Sequence, residues 1–172
     1  MRLFKYTNKQ TENKQLAKYA SSLVENTEVK ILDLNDFSLP VYGIDIETEN
    51  GIPENASKFL NEIKNANGII VSLAEHNGNF TVAFKNLYDW MSRVEQKLWN
   101  NKPLLVMATS PGGRGGASVL EIAKNGFPHM GGNVVASFSL PIFFDNFKEG
   151  IISEDNLRKQ LKDAVLIFEN SI

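Results

Sequence analysis

The sequence predicts an α/β fold in three layers: a doubly wound, five-stranded parallel sheet with helices on both faces, in a single domain spanning residues 1–172. Three observations carry this. Apolar runs alternate with segments of helical period along the whole chain. Two of the runs, "GIIVSLA" (Gly68 to Ala74) and "KPLLVMATS" (Lys102 to Ser110), are apolar almost throughout, as strands buried on both faces are. The second run leads directly into a glycine-rich turn, Ser110 to Gly116, and then into another helical period.

Taken in order, "MRLFKY" reads as a short first strand. Leu16, Ala20, Leu23 and Val24 share one face of a first helix. "VKILDL", Val29 to Leu34, is a second strand, followed by a loop holding Pro40, Gly43 and Gly51. Pro53 opens a helix with Ala56, Phe59, Leu60 and Ile63 inward. After the third strand, "EHNGN" breaks the pattern, and a helix carries Val82, Phe84, Leu87, Tyr88 and Met91. Val119, Ile122 and Ala123 mark the helix beyond the glycine turn. "NVVASFSL", Asn133 to Leu140, is the fifth strand. Ser153 is the expected N-cap of a last helix that buries Leu157, Leu161, Ala164, Val165 and Phe168.

Right-handed crossovers leave few topologies for five such strands. The expected order is the flavodoxin-like 2-1-3-4-5, which places ligands at the carboxyl ends of the strands, near the switch between strands 1 and 3. Three loops then surround one site: about Lys5 to Asn13, Glu75 to Asn79, and Ser110 to Gly116.

Composition narrows the chemistry. Charged residues are 22% and apolar residues 42%, with a net charge of -2, which gives no electrostatic reason for a nucleic-acid or anionic-membrane partner. The absence of cysteine removes disulfides, thiol nucleophiles, iron–sulfur clusters and cysteine zinc sites, and fits a reducing compartment. His76 and His129 are the two histidines, too few for a histidine metal site. The start lacks the apolar core of a secretion signal, and the apolar runs are too short to span a bilayer, so a cytoplasmic protein without membrane partner is expected.

The glycine turn is not a phosphate-binding Walker loop, since no Gly-Lys-Ser/Thr closes it. It is not a dinucleotide fingerprint either, because Ser118 holds the third glycine position, and it is not a nucleophile elbow. Glycine in such a turn serves a sharp bend or the close approach of another group. A tight strand–helix turn alone would account for some of it.

Two segments resemble the NADPH-dependent FMN reductases, a family that includes quinone, azo-dye and chromate reductases. "AEHNGN" matches the family's P-E-Y-N-G-S at Glu75, Asn77 and Gly78, and Lys85, Asn86, Asp89 and Trp90 match its continuation L-K-N-A-I-D-W. Ser110 to Gly116 matches S-P-G-G-x-G-G, and "LPVY" after the second strand is a common family feature. The resemblance runs from about Asn13 to the end. It implies FMN as cofactor and NADPH as reductant. Cofactor contacts would come from Thr11, Asn13, Glu75, His76, Asn77, Gly78, Ser110, Pro111, Gly112, Gly113 and Arg114. The flavin carries the hydride chemistry, so no catalytic acid or base is required of the protein. Bare backbone would let the flat ring lie against it, and a nearby helix N-terminus would favour negative charge on the reduced ring. The resemblance also implies a homodimer or homotetramer, formed through the helix after strand 3, with Tyr88, Trp90 and Trp99 either as aromatic contacts or as core packing. The acceptor would be a small molecule.

The chain departs from the family at several points. Ala74 and His76 stand where proline and tyrosine are usual. His76, Glu75, Asp89 and Arg114 also read as solvated surface groups. The family's first loop, G-S-x-R-x-x-S-x-N, is kept only at Asn13 and, with a change of hydroxyl, at Thr11. Lys5 and Tyr6 replace its Gly-Ser, Asn8 replaces its arginine, and Glu12 adds a negative charge. Losing two charge-assisted bonds to phosphate puts roughly 3–6 kcal/mol of binding at risk; Lys5 or Lys9 would compensate in part. Two other readings therefore stay open: a flavodoxin-like binding module with a weakened or lost FMN site, and a flavodoxin-type electron carrier.

Overall fold

The computed structural model describes residues 2–5, 11–25 and 27–172. Its centre is a parallel sheet of five strands: β1 (Arg2–Lys5), β2 (Lys30–Asp33), β3 (Ile69–Leu73), β4 (Pro103–Thr109) and β5 (Asn133–Leu140). They lie side by side in the order β2-β1-β3-β4-β5, and every neighbouring pair is parallel. Helices cover both faces of this sheet, giving one three-layer, doubly wound fold, as the alternation of periods predicts.

Alternate residues of one strand serve opposite cores, because successive side chains leave a strand on opposite faces. Ile69, Val71, Leu104 and Val106 pack on one side, with Leu60 of helix α3 (Glu54–Lys64), Met91 of α4 (Val82–Val94) and Ala123 of α5 (Ala117–Gly126). Helix α2 (Ile44–Asn50) precedes this group and buries no residue. Ile70, Leu105 and Met107 pack on the other side, with Leu16 of α1 (Glu12–Ser22) and Phe168 of α7 (Asp155–Glu169). A short helix, α6 (Phe143–Asn146), follows β5. β3 is buried at all five positions, which explains a run that is apolar except at Ser72, whose hydroxyl is hydrogen-bonded.

Several local expectations are corrected. α1 ends at Ser22, so Leu23 is its C-cap and Val24 lies beyond it. The loop with Gly43 and Gly51 contains α2 between those two glycines. The N-cap of α7 is Glu154, not Ser153. Glu154 accepts from the Asn156 and Leu157 backbone N–H groups, while the Ser153 hydroxyl donates to the Asp145 carbonyl. The segment after β3 is a hairpin rather than an open loop. Of the first loop, residues 6–10 lie outside the described residues, and with them the places assigned to Tyr6, Asn8 and Lys9.

Candidate functional site

The carboxyl ends of β1, β3 and β4 fall on one edge of the sheet, and three chain segments meet there. The first is the hairpin after β3. Glu75–His76 pairs with Asn79–Phe80, and Asn77 and Gly78 form its tip with φ of 51° and 77°. Positive φ at both central residues is the geometry of a type I′ hairpin turn, and Asn-Gly adopts it with least strain. Phe80 anchors the returning arm. Its ring stacks on Phe127 at 6.0 Å and 7°, and touches Phe84 and Tyr88. Burial in this cluster pushes the Tyr88 phenol up to about 12.

The second segment is the glycine turn after β4. Its four glycines divide into two pairs with different physical reasons. Gly115 has φ of 57°, and a Cβ there would lie 2.8 Å from Pro141 N and 2.9 Å from Leu140 C. Gly116 has φ of 77°, and a Cβ would lie 2.8 Å from the Ala108 methyl. Both are buried and demanded by the fold itself. Gly112 and Gly113 have ordinary backbone angles and are exposed. A Cβ on Gly113 would meet nothing within 4 Å, and one on Gly112 only Ser110 Oγ at 3.9 Å. Nothing in the protein requires glycine at these two positions; what their lack of side chains leaves is open space above the backbone.

The hairpin and the turn are fastened together. Glu75 Oε2 accepts from the Val119 backbone N–H at 3.0 Å, in the first turn of α5. The N-cap of α5 is Gly116, which has no side chain to cap with, so Glu75 does it from the neighbouring loop. That carboxylate already compensates the positive end of α5. The helix terminus is therefore less available to a second negative charge than the sequence suggests. Arg114 donates to Ser118 Oγ at 2.7 Å and is exposed; His76 is exposed. Ser110 Oγ bonds the Gly112 carbonyl, and Pro111 is exposed beside it.

The third segment is the start of α1. Asn13 is 4% exposed, and its amide bridges two strands: Nδ2 donates to the Thr109 carbonyl at 3.3 Å, and Oδ1 accepts from Ser72 Oγ at 2.9 Å. Asn13 thus works as a tie between α1, β3 and β4. Thr11 is the N-cap of α1, yet its hydroxyl makes no cap bond. Thr11 Oγ1 is buried and has no hydrogen-bond partner among the described residues. A buried hydroxyl left unsatisfied costs about 1–3 kcal/mol, so a partner from outside the chain would offset a real penalty.

Sequence reasoning missed the frame around this edge. Tyr42 of the "LPVY" segment is docked on α4: its N–H donates to Asn86 Oδ1 at 2.8 Å, and Trp90 Nε1 and Asn86 Nδ2 both donate to the Pro40 carbonyl. Glu47 of α2 accepts from the Tyr42 hydroxyl and from Arg93 Nε. The bond to Arg93, above all, holds the Glu47 carboxyl below its ordinary value. Trp90 and Trp99 are 0% and 1% exposed, so of the two roles open to them they take core packing and are unavailable to a partner subunit. Asn86 was a visible signal, a family motif position whose role is this docking. Among the described residues, no group of three His, Asp or Glu side chains is placed to hold a metal.

Comparison with known proteins agrees with this arrangement. The NADPH-dependent FMN reductase family matches from residue 6 to residue 145. A quinone reductase of Pseudomonas putida is 34% identical over 110 residues, 63% of this chain and 58% of that protein. A quinone reductase of Escherichia coli (strain K12) is 32% identical over 79 residues, 46% of this chain and 42% of that protein. The matches therefore span about half the length of these relatives. A flavoenzyme NAD(P)H:(acceptor) oxidoreductase from Paracoccus denitrificans superposes with a TM-score of 0.76 at 24% identity, over 99% of this chain and 94% of that one, and so shares the fold. With the hairpin and glycine turn both lying inside the matched region, the chain belongs to the NADPH-dependent FMN reductase family.

Proposed function

We propose that this protein is an NAD(P)H-dependent, FMN-binding oxidoreductase that passes reducing equivalents to a small acceptor such as a quinone, an azo compound or free flavin. The observation that carries this reading is the pair Gly112 and Gly113, bare and exposed where the fold needs no glycine. The quinone reductases it resembles favour the same chemistry.

The described residues fit FMN at two points. A Cβ on Gly112 or Gly113 would meet no atom closer than 3.9 Å, so their backbone lies bare toward a flat ring, at the sheet edge that also carries the hairpin tip Asn77-Gly78. The Thr11 hydroxyl, unpartnered among the described residues and at the N-terminus of an eleven-residue helix, suits a phosphate oxygen. When bound, FMN supplies hydride acceptance from the nicotinamide and its delivery onward. The protein's part is to bind and orient. Asn13 and Ser72 hold the α1 start against β3 and β4, while Glu75 holds the hairpin against α5, so the three segments keep one geometry. Lowering reorganisation in this way is how a rigid site favours its ligand.

A homodimer or homotetramer in the cytoplasm completes the reading. Val41, Ile44 and Val82 are 75%, 65% and 76% exposed, and Val41 and Val82 line one cavity of about 310 Å³ beside α4. Apolar side chains this exposed favour burial by a partner copy. Light scattering checks the assembly state.

Titration with FMN and, separately, riboflavin tests the assignment. FMN should bind tighter by about tenfold or more if the phosphate is gripped. NADPH should then be oxidised in the presence of a quinone. Binding of neither flavin overturns the proposal.

A further inference from the structure

Helix α5 starts directly after the glycine turn, so its positive end lies at the same edge of the sheet as Gly112 and Gly113. Two side chains of opposite charge are bonded to that first turn. Glu75 Oε2 accepts from the Val119 N–H at 3.0 Å, and Arg114 Nη2 donates to Ser118 Oγ at 2.7 Å. They are not equivalent. Arg114 is exposed, so water and salt screen it. Glu75 is half-buried and its carboxylate is fixed on a backbone N–H, where screening is weaker. The hairpin that begins with Glu75 also closes on the helix, since a Cβ on Gly78 would lie 4.0 Å from the Ser118 Cβ. The negative charge is thus built into the junction of hairpin and helix. A neutral cap would serve the fold as well, because serine or asparagine caps a helix about as strongly as aspartate does. What the carboxylate adds beyond the bond is charge, set against the roughly +0.5 elementary charge of a helix N-terminus.

We infer that Glu75, acting through the end of α5, sets the reduction potential of the bound flavin and holds it low, so that the reduced ring gives up its electrons readily. This role rests on the oxidoreductase reading. A hydride brings two electrons and one proton, so the ring gains one negative charge on reduction. An uncompensated helix end would favour that charge, and a fixed carboxylate at the same end disfavours it. Glu75 is therefore a positioning residue with a second effect: its bond fastens two loops, and its charge decides how strongly the site prefers oxidised over reduced FMN.

The test is the midpoint potential of bound FMN, read from its absorbance during anaerobic dye equilibration at neutral pH, in the wild type, Glu75→Gln and Glu121→Gln. Glutamine keeps an oxygen to accept from the Val119 N–H and drops the charge. In the wild type the bound midpoint should lie at or below that of free FMN, so that reduced flavin is held no tighter than oxidised. In Glu75→Gln the ratio of reduced to oxidised affinity should rise about tenfold, an upward shift of about 30 mV for a two-electron couple. Glu121 is exposed on the same helix and accepts from Lys124 Nζ, so Glu121→Gln removes an equal charge and should leave the midpoint in place. A merely structural role of Glu75 would weaken both affinities together and leave their ratio unchanged. An unchanged or lower midpoint in Glu75→Gln, an equal rise in Glu121→Gln, or a wild-type midpoint above that of free FMN would each overturn the assignment. If the wild type binds no FMN, the oxidoreductase reading itself fails and this role with it. If it binds FMN and the midpoints do not move, only the role of Glu75 fails.

Discussion

Glu75 and Val119 lie 44 positions apart in sequence, and the carboxylate of the first caps the helix that begins near the second, at 3.0 Å. One hydrogen bond joins the loop after β3 to the loop after β4. The family motif that contains Glu75 therefore has a fold-level reason at this position, apart from any ligand.

Replacing Glu75 by alanine should cost about 1–2 kcal/mol, the usual value of a lost N-cap with its charge on the helix end. Chemical denaturation measures it. FMN affinity should fall in the same variant, since the two loops lose their fastening. Glu75→Gln should recover part of both effects.

The two glycine pairs should respond oppositely to alanine. Gly115→Ala places a Cβ against Pro141 N and Leu140 C at a positive φ, and should destabilise by more than about 2 kcal/mol. Gly113→Ala meets nothing in the protein and should leave stability within about 0.5 kcal/mol of wild type. Its FMN dissociation constant should nonetheless rise about tenfold. Thermal melts beside flavin titrations separate the two behaviours.

Thr11→Val removes a buried hydroxyl that has no partner among the described residues. Stability of the flavin-free protein should stay level or rise by about 1 kcal/mol. If that hydroxyl serves the phosphate, FMN should bind about 5- to 30-fold more weakly while riboflavin is unaffected. Equal effects on the two flavins would place Thr11 outside the phosphate site.

The Glu47 carboxyl lies below its ordinary value of 4.5, foremost through its bond from Arg93. A depressed folded-state value means the contribution is fully present above the unfolded value and is lost as pH falls through the folded one. Stability should therefore decline below about pH 5 more steeply in wild type than in Glu47→Gln. Denaturation midpoints measured from neutral pH down to about pH 3 give the comparison.

The sheet could be read from the chain because β3, β4 and β5 sit in runs whose period and length have few other meanings. The last strand falls at Asn133–Leu140 as expected. The glycine turn was legible as a site, but its division was not. Whether a glycine is bent, crowded or idle depends on Pro141, Leu140 and Ala108, which approach only after folding. The hairpin at Glu75–Phe80 has arms of two residues, too short for any period to register. α2 buries nothing, so it leaves no apolar face to detect. Ser153 lost the cap of α7 to its neighbour because the longer Glu154 side chain reaches two N–H groups at once. Nothing in "LPIFFDN" announces the left-handed backbone of Ile142.

The contrast between the glycines also bears on how this chain would change over generations. Gly115 and Gly116 answer to the fold, and replacing either is punished whether or not a ligand is ever bound. Gly112 and Gly113 are crowded by no described atom, so on the proposed reading only a ligand above them would hold them as glycine. In a descendant that had given up its ligand, selection would release the second pair first, and side chains would accumulate there while the first pair stayed fixed.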